Sequence, residues 1–242
     1  RALEHGKHVL SQKPYVSDLA IGQELADLAD ARGLMLAVNQ NGRWAPYMSY
    51  MREAVRAGTI GDVIGVHAAL QWDHSWISGT PFEAMDQIVL QDFAIHWFDF
   101  LASIIGDTAT SVYATSVAAN GQSIPSKLLA ESLVSFPGGQ ASLVFDGSAR
   151  YGARNTTTIV GTTGTLRSTG PDLGEQTVSV HTVDGVGTPQ LHGQWFNDGF
   201  AGAMGALLVA IETGIAPGNS ARGNLASLKL VRAALESART GD

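Results

Sequence analysis

In the run Leu90-Gln91-Asp92-Phe93-Ala94-Ile95-His96-Trp97-Phe98-Asp99, three polar side chains recur at steps of four and three among apolar neighbours. On a helix that spacing puts Asp92, His96 and Asp99 on one face. A carboxylate one turn before an imidazole can fix the ring's tautomer, and a histidine so held can exchange a proton with a substrate hydroxyl near neutral pH. The same pair can equally satisfy the polar needs of a buried helix. Far upstream, Ser11-Gln12-Lys13-Pro14 follows the short apolar run His8-Val9-Leu10. If that run is a strand of a parallel sheet, Lys13 stands at its carboxyl end, where ligands of such sheets gather. Pro14 keeps Lys13 out of helical geometry and leaves its side chain free to enter a cleft. The plain alternative is a surface lysine in a loop.

The surrounding sequence supplies elements to position these groups. His8 to Ser11 reads as a buried strand, Ser17 as the cap of a helix with Ile21, Leu25 and Leu28 on its inner face, and Leu34 to Val38 as a second strand after Gly33. Strand, helix, strand is the pattern of a parallel, doubly wound sheet, of which two strands are only a part. Pro46 then opens a helix that presents Tyr47, Tyr50, Met51, Ala54 and Val55 and stops at Gly58. From Ile64 to Trp72 the period changes to two, and further alternating segments lie near 110–118, 129–136, 140–146, 156–160 and 176–182. Pro137-Gly138-Gly139 marks a hairpin, so this second region is an antiparallel sheet with one open face. Helices near 198–211 and 223–239 close the chain. The expected fold class is α/β plus α+β: residues 1–42 are the remnant of a Rossmann-type dinucleotide-binding domain. Residues 43–242 form a substrate and oligomerisation domain, its largely antiparallel open sheet covered by helices on one face.

Composition narrows the function. The 242 residues are 45% hydrophobic and 15% charged, with 15 Lys plus Arg against 22 Asp plus Glu, a formal net charge of -7. Mean hydropathy is +0.07. With no basic cluster, nucleic acid is disfavoured as a partner. The absence of cysteine removes disulfides, thiolate metal sites and cysteine nucleophiles, and it suits a reducing compartment such as the cytoplasm. No apolar run approaches the ~20 residues of a membrane span.

Four segments together resemble one family. Ala2 through Lys13-Pro14 is similar to a stretch ending in Glu-Lys-Pro, and Arg43-Trp44-Ala45-Pro46 to an Arg-x-x-Pro stretch that leads into a helix and on to Gly58-Thr59-Ile60-Gly61. Asp92 to Asp99 matches an Asp-x-x-x-His-x-x-Asp helix, and Ile159 to Leu166 a recurrent strand-turn element. The family is the Gfo/Idh/MocA oxidoreductases, which include glucose-fructose oxidoreductase and inositol dehydrogenase. The resemblance implies hydride transfer between NAD or NADP and a sugar, polyol or cyclitol hydroxyl, with Lys13, Asp92 and His96 as catalytic groups. It implies cofactor contacts from Gln12, Lys13, Pro14, Gln40 and Arg43, Arg43 being as readily an interdomain ion pair. Substrate contacts are expected from Trp72, His74, Trp76, Asp92 and His96, since aromatic faces with polar tips suit sugar-like ligands. A homo-oligomer formed through the open sheet face is also implied.

The sequence departs from that pattern in three places. Gln12 replaces the glutamate beside the lysine, and Asp86 to Gln91 replaces a glycine pair ahead of Asp92. No Gly-x-Gly-x-x-Gly follows a strand, the one Gly-x-Gly being Gly185 and Gly187 in a turn. Two further βαβ units, roughly 60 residues at about 30 per unit, are expected ahead of Arg1. The 242 residues alone are therefore expected to bind a nicotinamide dinucleotide weakly and to be inactive. Gly161-Thr162-Thr163-Gly164 lacks the lysine and helix of a phosphate loop and is read as a turn. A metal held by His74, Asp92 and His96 is disfavoured, because no further ligand is fixed. The rival functions are an NAD-dependent glycosidase of the same family and a non-catalytic carbohydrate-binding or dimerisation module.

Overall fold

In the computed structural model, which describes residues 1–242, the chain opens with a 3₁₀ turn, Leu3–His5, that Gly6 ends by taking φ 68°. Strand β1 (Val9–Ser11), helix α1 (Leu19–Ala31) and strand β2 (Leu36–Val38) follow, and the strands pair in parallel with Val9 opposite Leu36. The expected strand-helix-strand unit is present, with two differences. The cap of α1 is Asp18 rather than Ser17, its carboxylate accepting from the Ala20 N–H at 2.7 Å. A carboxylate there also complements the helix dipole, which a serine does not. Ile21 is exposed, and the buried positions are Gly22, Ala26 and Ala29. The helix docks through its small residues because a Cβ at Gly22 would already lie 3.0 Å from Leu225.

A 3₁₀ segment, Asn41–Trp44, leads into α2 (Pro46–Arg56), with Pro46 in its first turn as expected. Strand β3 (Val63–Gln71) then enters an eight-stranded sheet. After helix α3 (Ile95–Ile105), the sheet gains β4 (Ser111–Val117), β5 (Leu129–Phe136), β6 (Gly139–Asp146), β7 (Arg154–Gly161), β8 (Gly164–Gly170), β9 (Thr177–Thr182) and β10 (Gly185–Gly187). Helices α4 (Trp195–Thr213) and α5 (Ala221–Thr240) finish the chain. The strand order is β10-β9-β8-β7-β3-β6-β5-β4.

Every pair in this sheet is antiparallel except β3 with β6. The Pro137-Gly138 turn joins β5 to β6, and Thr162-Thr163 joins β7 to β8. Gly185 and Gly187 belong to the short edge strand β10, not to a turn. Alternation puts Val66, Ala68, Leu70, Ala141, Leu143, Phe145 and Ile159 on the buried face. There Trp97 of α3 lies with its ring 5.9 Å from that of Phe145. The opposite face carries exposed Tyr113, Val117 and Leu133 beside half-buried His67, whose ring pairs with Ser142 at 2.7 Å.

Helix α5 ties the two regions together. It packs on α1, α3 and β4, and its Ser237 hydroxyl accepts the Ala114 N–H of the edge strand at 2.9 Å. Leu3, Leu36 and Val38 consequently share one apolar cluster with Phe145 and Ile159. Helix α4 lies directly on the 3₁₀ segment, so closely that a Cβ at Gly202 would sit 2.2 Å from Trp44 and one at Gly199 2.7 Å from the Asn41 carbonyl oxygen. No helix is long and apolar enough to cross a membrane.

Candidate active site

The carboxyl end of β1 delivers Lys13, and the loop ahead of α3 delivers its partner. Residues Val89–Phe93 form a π-helical turn, closed by the Ala94 N–H donating to the Val89 carbonyl at 2.7 Å. Such a turn carries an extra residue within the helical path and re-aims the side chains around it. From it Asp92 faces Lys13, whose ammonium donates to the carboxylate Oδ1 at 2.7 Å and to the Asp92 carbonyl at 2.8 Å. The expectation that Asp92 orients His96 is thereby corrected. The Nδ1 of His96 is sealed from solvent and has no hydrogen-bond partner. A full positive charge outcompetes a neutral ring for the carboxylate, because charge-assisted bonds are the stronger ones.

Lys13, Asp92 and His96 line one cleft of about 390 Å³, together with Gln12, Trp72, His74 and Trp76. Burial first, and the Lys13 charge second, lower the His96 pKa to about 4, so the ring is neutral at physiological pH. Trp72 follows β3, and its indole N–H donates to His74 Nδ1 at 2.7 Å. Its ring stacks on Phe93 with centroids 3.9 Å apart. Burial also pushes His74 below its ordinary value, against the raising effect of Asp92 and Asp73.

Other expected site residues lie elsewhere. Asp99, the third member of the stripe, points into the interior and takes both Nε and Nη2 of Arg43, at 2.7 and 2.8 Å. Burial opposes the Asp99 charge, but Arg43 outweighs it and holds the carboxyl below its usual range. Arg43 also donates to the Gly218 carbonyl, while its own carbonyl accepts from Arg52 at 2.8 Å. Arg43 forms an ion pair, and these partners hold its guanidinium away from the cleft, but the pair lies within residues 43–242 and is not the interdomain one expected. Pro14 lines a different groove, against Leu228 and Val231. Gln40 is buried at the end of β2 with neither amide atom bonded.

Asn41, Phe93, Leu173, Trp195, Phe196 and Phe200 complete the lining, and sequence reasoning missed all six. Asn41 had a signal: it follows β2 as Lys13 follows β1. Trp195 and Phe196 carry none, because only the docking of α4 on the 3₁₀ segment brings them to the cleft.

The residues present fit the ring end of a nicotinamide cofactor. The cleft opens at the carboxyl ends of two parallel strands, and Asn41 in its lining keeps a buried side-chain oxygen without a partner. Asn41 and Lys13 would hold it, and the group when bound accepts or gives the hydride.

Comparison with known proteins agrees with this architecture. Residues 48–167 match the GFO/IDH/MocA C-terminal domain. The chain is 27% identical to a D-apiose dehydrogenase of Paraburkholderia graminis, over 99% of its own length and 67% of that protein's. It shares the fold of an oxidoreductase from Agrobacterium radiobacter solved with NAD+, L-tartaric acid and magnesium, at TM-score 0.85 and 22% identity over 100% of this chain and 73% of that one. The aldose-aldose oxidoreductase of Caulobacter crescentus, solved with glycerol, superposes at TM-score 0.80 and 19% identity over 100% and 72%. Residues 48–167 carry the carboxylate-imidazole helix and much of the mostly antiparallel sheet, and by that match the chain belongs to the Gfo/Idh/MocA family of oxidoreductases.

Proposed function

We propose that the protein is an NAD(P)-dependent oxidoreductase acting on a sugar, polyol or cyclitol hydroxyl, with Lys13, Asp92 and His96 as its catalytic groups. The observation that carries this reading is a charged lysine and a neutral histidine lining one cleft at the ends of parallel strands. Oxidising a secondary alcohol removes a hydride from carbon and a proton from oxygen. Lys13 stabilises the negative charge that grows on that oxygen, and neutral His96 takes the proton. A ring whose pKa is about 4 is a weak base, so Lys13 carries the larger share of the work. Asp92 fixes the ammonium with two anchor points, its carboxylate and its carbonyl. The cysteine-free chain suits the cytoplasm. The uncovered sheet face around Leu133 supports a homo-oligomer.

The test uses the product of the complete reading frame and follows nicotinamide absorbance with a panel of polyols and aldoses. Lys13→Met and His96→Gln are each expected to lower kcat by about 10² or more, the usual worth of a proton-transfer group, with the circular-dichroism melt preserved. Turnover within about threefold of the parent in both folded variants would sink the assignment and leave a binding module.

A further inference from the structure

A hydrogen bond at one imidazole nitrogen ordinarily decides how the other meets a substrate, and His96 has no such bond. Its Nδ1 is sealed and unpartnered, whereas Nε2 is not sealed and the residue lines the cleft. With the Asp92 carboxylate taken by Lys13, packing is what fixes this ring. Trp195 stands edge to face with it, ring centroids 5.6 Å apart and planes at 88°, an arrangement that aromatic pairs favour. The indole is itself immobile. It is 2% exposed and wedged against Tyr47 of α2 at 5.9 Å and Trp97 of α3 at 5.7 Å. Gly42 completes the enclosure by lacking a side chain: a Cβ there would lie 3.0 Å from Trp195 Cζ2 and 3.5 Å from both His96 Nδ1 and the Met48 sulfur. Its backbone is not in the left-handed region, so the local conformation does not call for glycine; the two rings do.

We propose that Trp195 is the positioning residue of His96: its indole closes off Nδ1 and holds the ring with Nε2 toward the cleft, in a space that glycine at position 42 leaves free. The role rests on His96 being the proton acceptor, and it supplies the orientation that Asp92 does not. The same wall keeps water from Nδ1 and so adds to the burial that holds the imidazole uncharged. Around the ring, Lys13 opposes a second proton while Asp99 and Asp92 favour it. Tyr47 behind the indole stays neutral because burial raises its phenol, and Asp198 in the first turn of α4 is turned to the Gln194 N–H.

The test follows the His96 Cε1–H resonance in the complete protein with ¹³C-labelled histidine, assigned by its loss in His96→Gln. In the parent it should stay at the neutral position from about pH 8 to about pH 5. In Trp195→Leu it should titrate with a midpoint higher than the parent's by about one pH unit or more. Trp195→Phe keeps an aromatic edge-to-face partner and should stay within about half a pH unit of the parent. A tryptophan that served only as a wall for ligand would alter KM and leave this resonance unmoved. Gly42→Ala covers the case in which Trp195→Leu does not fold, because residue 42 is not part of the cleft lining. In that variant kcat should fall about tenfold with KM within about threefold of the parent. A parent ring that titrates near the ordinary 6.5, an unmoved midpoint in Trp195→Leu, or full kcat in Gly42→Ala would each overturn the proposal. If polyol turnover survives the loss of Lys13 and His96, the oxidoreductase reading fails instead, and the resonance alone decides whether Trp195 holds the ring.

Discussion

His96 is kept neutral by the fold, and that has a consequence for acid stability. Its folded pKa of about 4 lies below the ordinary 6.5, so between those values the unfolded chain binds the proton and the folded protein does not. Stability therefore rises with pH across this window, and acidification from pH 7 to 4 should remove about 2 to 3 kcal/mol through this residue alone. Urea melts at steps of pH should show the slope, and His96→Gln should flatten it; an unchanged slope in the variant would place the acid sensitivity elsewhere. At this scale the sequence was legible in type but not in partnership. Asp92, His96 and Lys13 were identifiable from spacing and chain position, whereas the spacing of Asp92 and His96 implied a contact that the structure assigns to Asp92 and Lys13, 79 residues apart in sequence. Asp99 looked like part of the same stripe, yet it serves the interior. There it also accepts from Ser227 at 2.7 Å and Asn224 at 3.1 Å of α5. Neither partner is visible from the helix that carries it.

Among the elements, regular strands and helices followed from periodicity, and their closest contacts did not. The alternation of β3 and the Pro-Gly turn after β5 announce themselves locally. The π turn that aims Asp92 depends on one inserted residue, and no local pattern separates it from an ordinary helix. Nor does alternation reveal that β3 lies between β6 and β7, since period two fixes a strand's faces and not its neighbours. The glycines of α4 make the point testable. Gly202 abuts Trp44, while at Gly205 a Cβ would meet nothing within 4 Å. Gly205→Ala should stabilise by about 0.5 to 1 kcal/mol through helix propensity. Gly202→Ala should destabilise by about 1 to 3 kcal/mol, because the added methyl must displace a packed indole. Paired thermal melts check both signs; two variants that melt alike would mean that α4 does not press on the 3₁₀ segment. Since Trp195 and Phe196 begin this helix, only Gly202→Ala should also weaken ligand binding.

For the whole molecule, the decisive asymmetry is between the two faces of the large sheet. One is packed on helices, and the other shows Tyr113, Val117 and Leu133, which are 47%, 53% and 57% exposed. Tyr113 and Leu133 stand opposite each other on neighbouring strands, so they form a continuous patch rather than scattered contacts. Sedimentation velocity should find a homo-oligomer, and Leu133→Lys should shift it toward monomer without lowering the unfolding free energy of the subunit by more than about 1 kcal/mol. A parent that sediments as a monomer at all concentrations would leave the patch without this role. The placement of β3 reaches further, into how the molecule assembles in time. Its hydrogen-bonding edges are filled by residues 139–146 on one side and 154–161 on the other, so a ribosome-bound chain that has released β3 carries two bare edges until both downstream strands emerge. Long-range closure of this kind is slow, and the waiting segment Val63 to Gln71 is the place where stalled synthesis or chaperone depletion would first lead to aggregation.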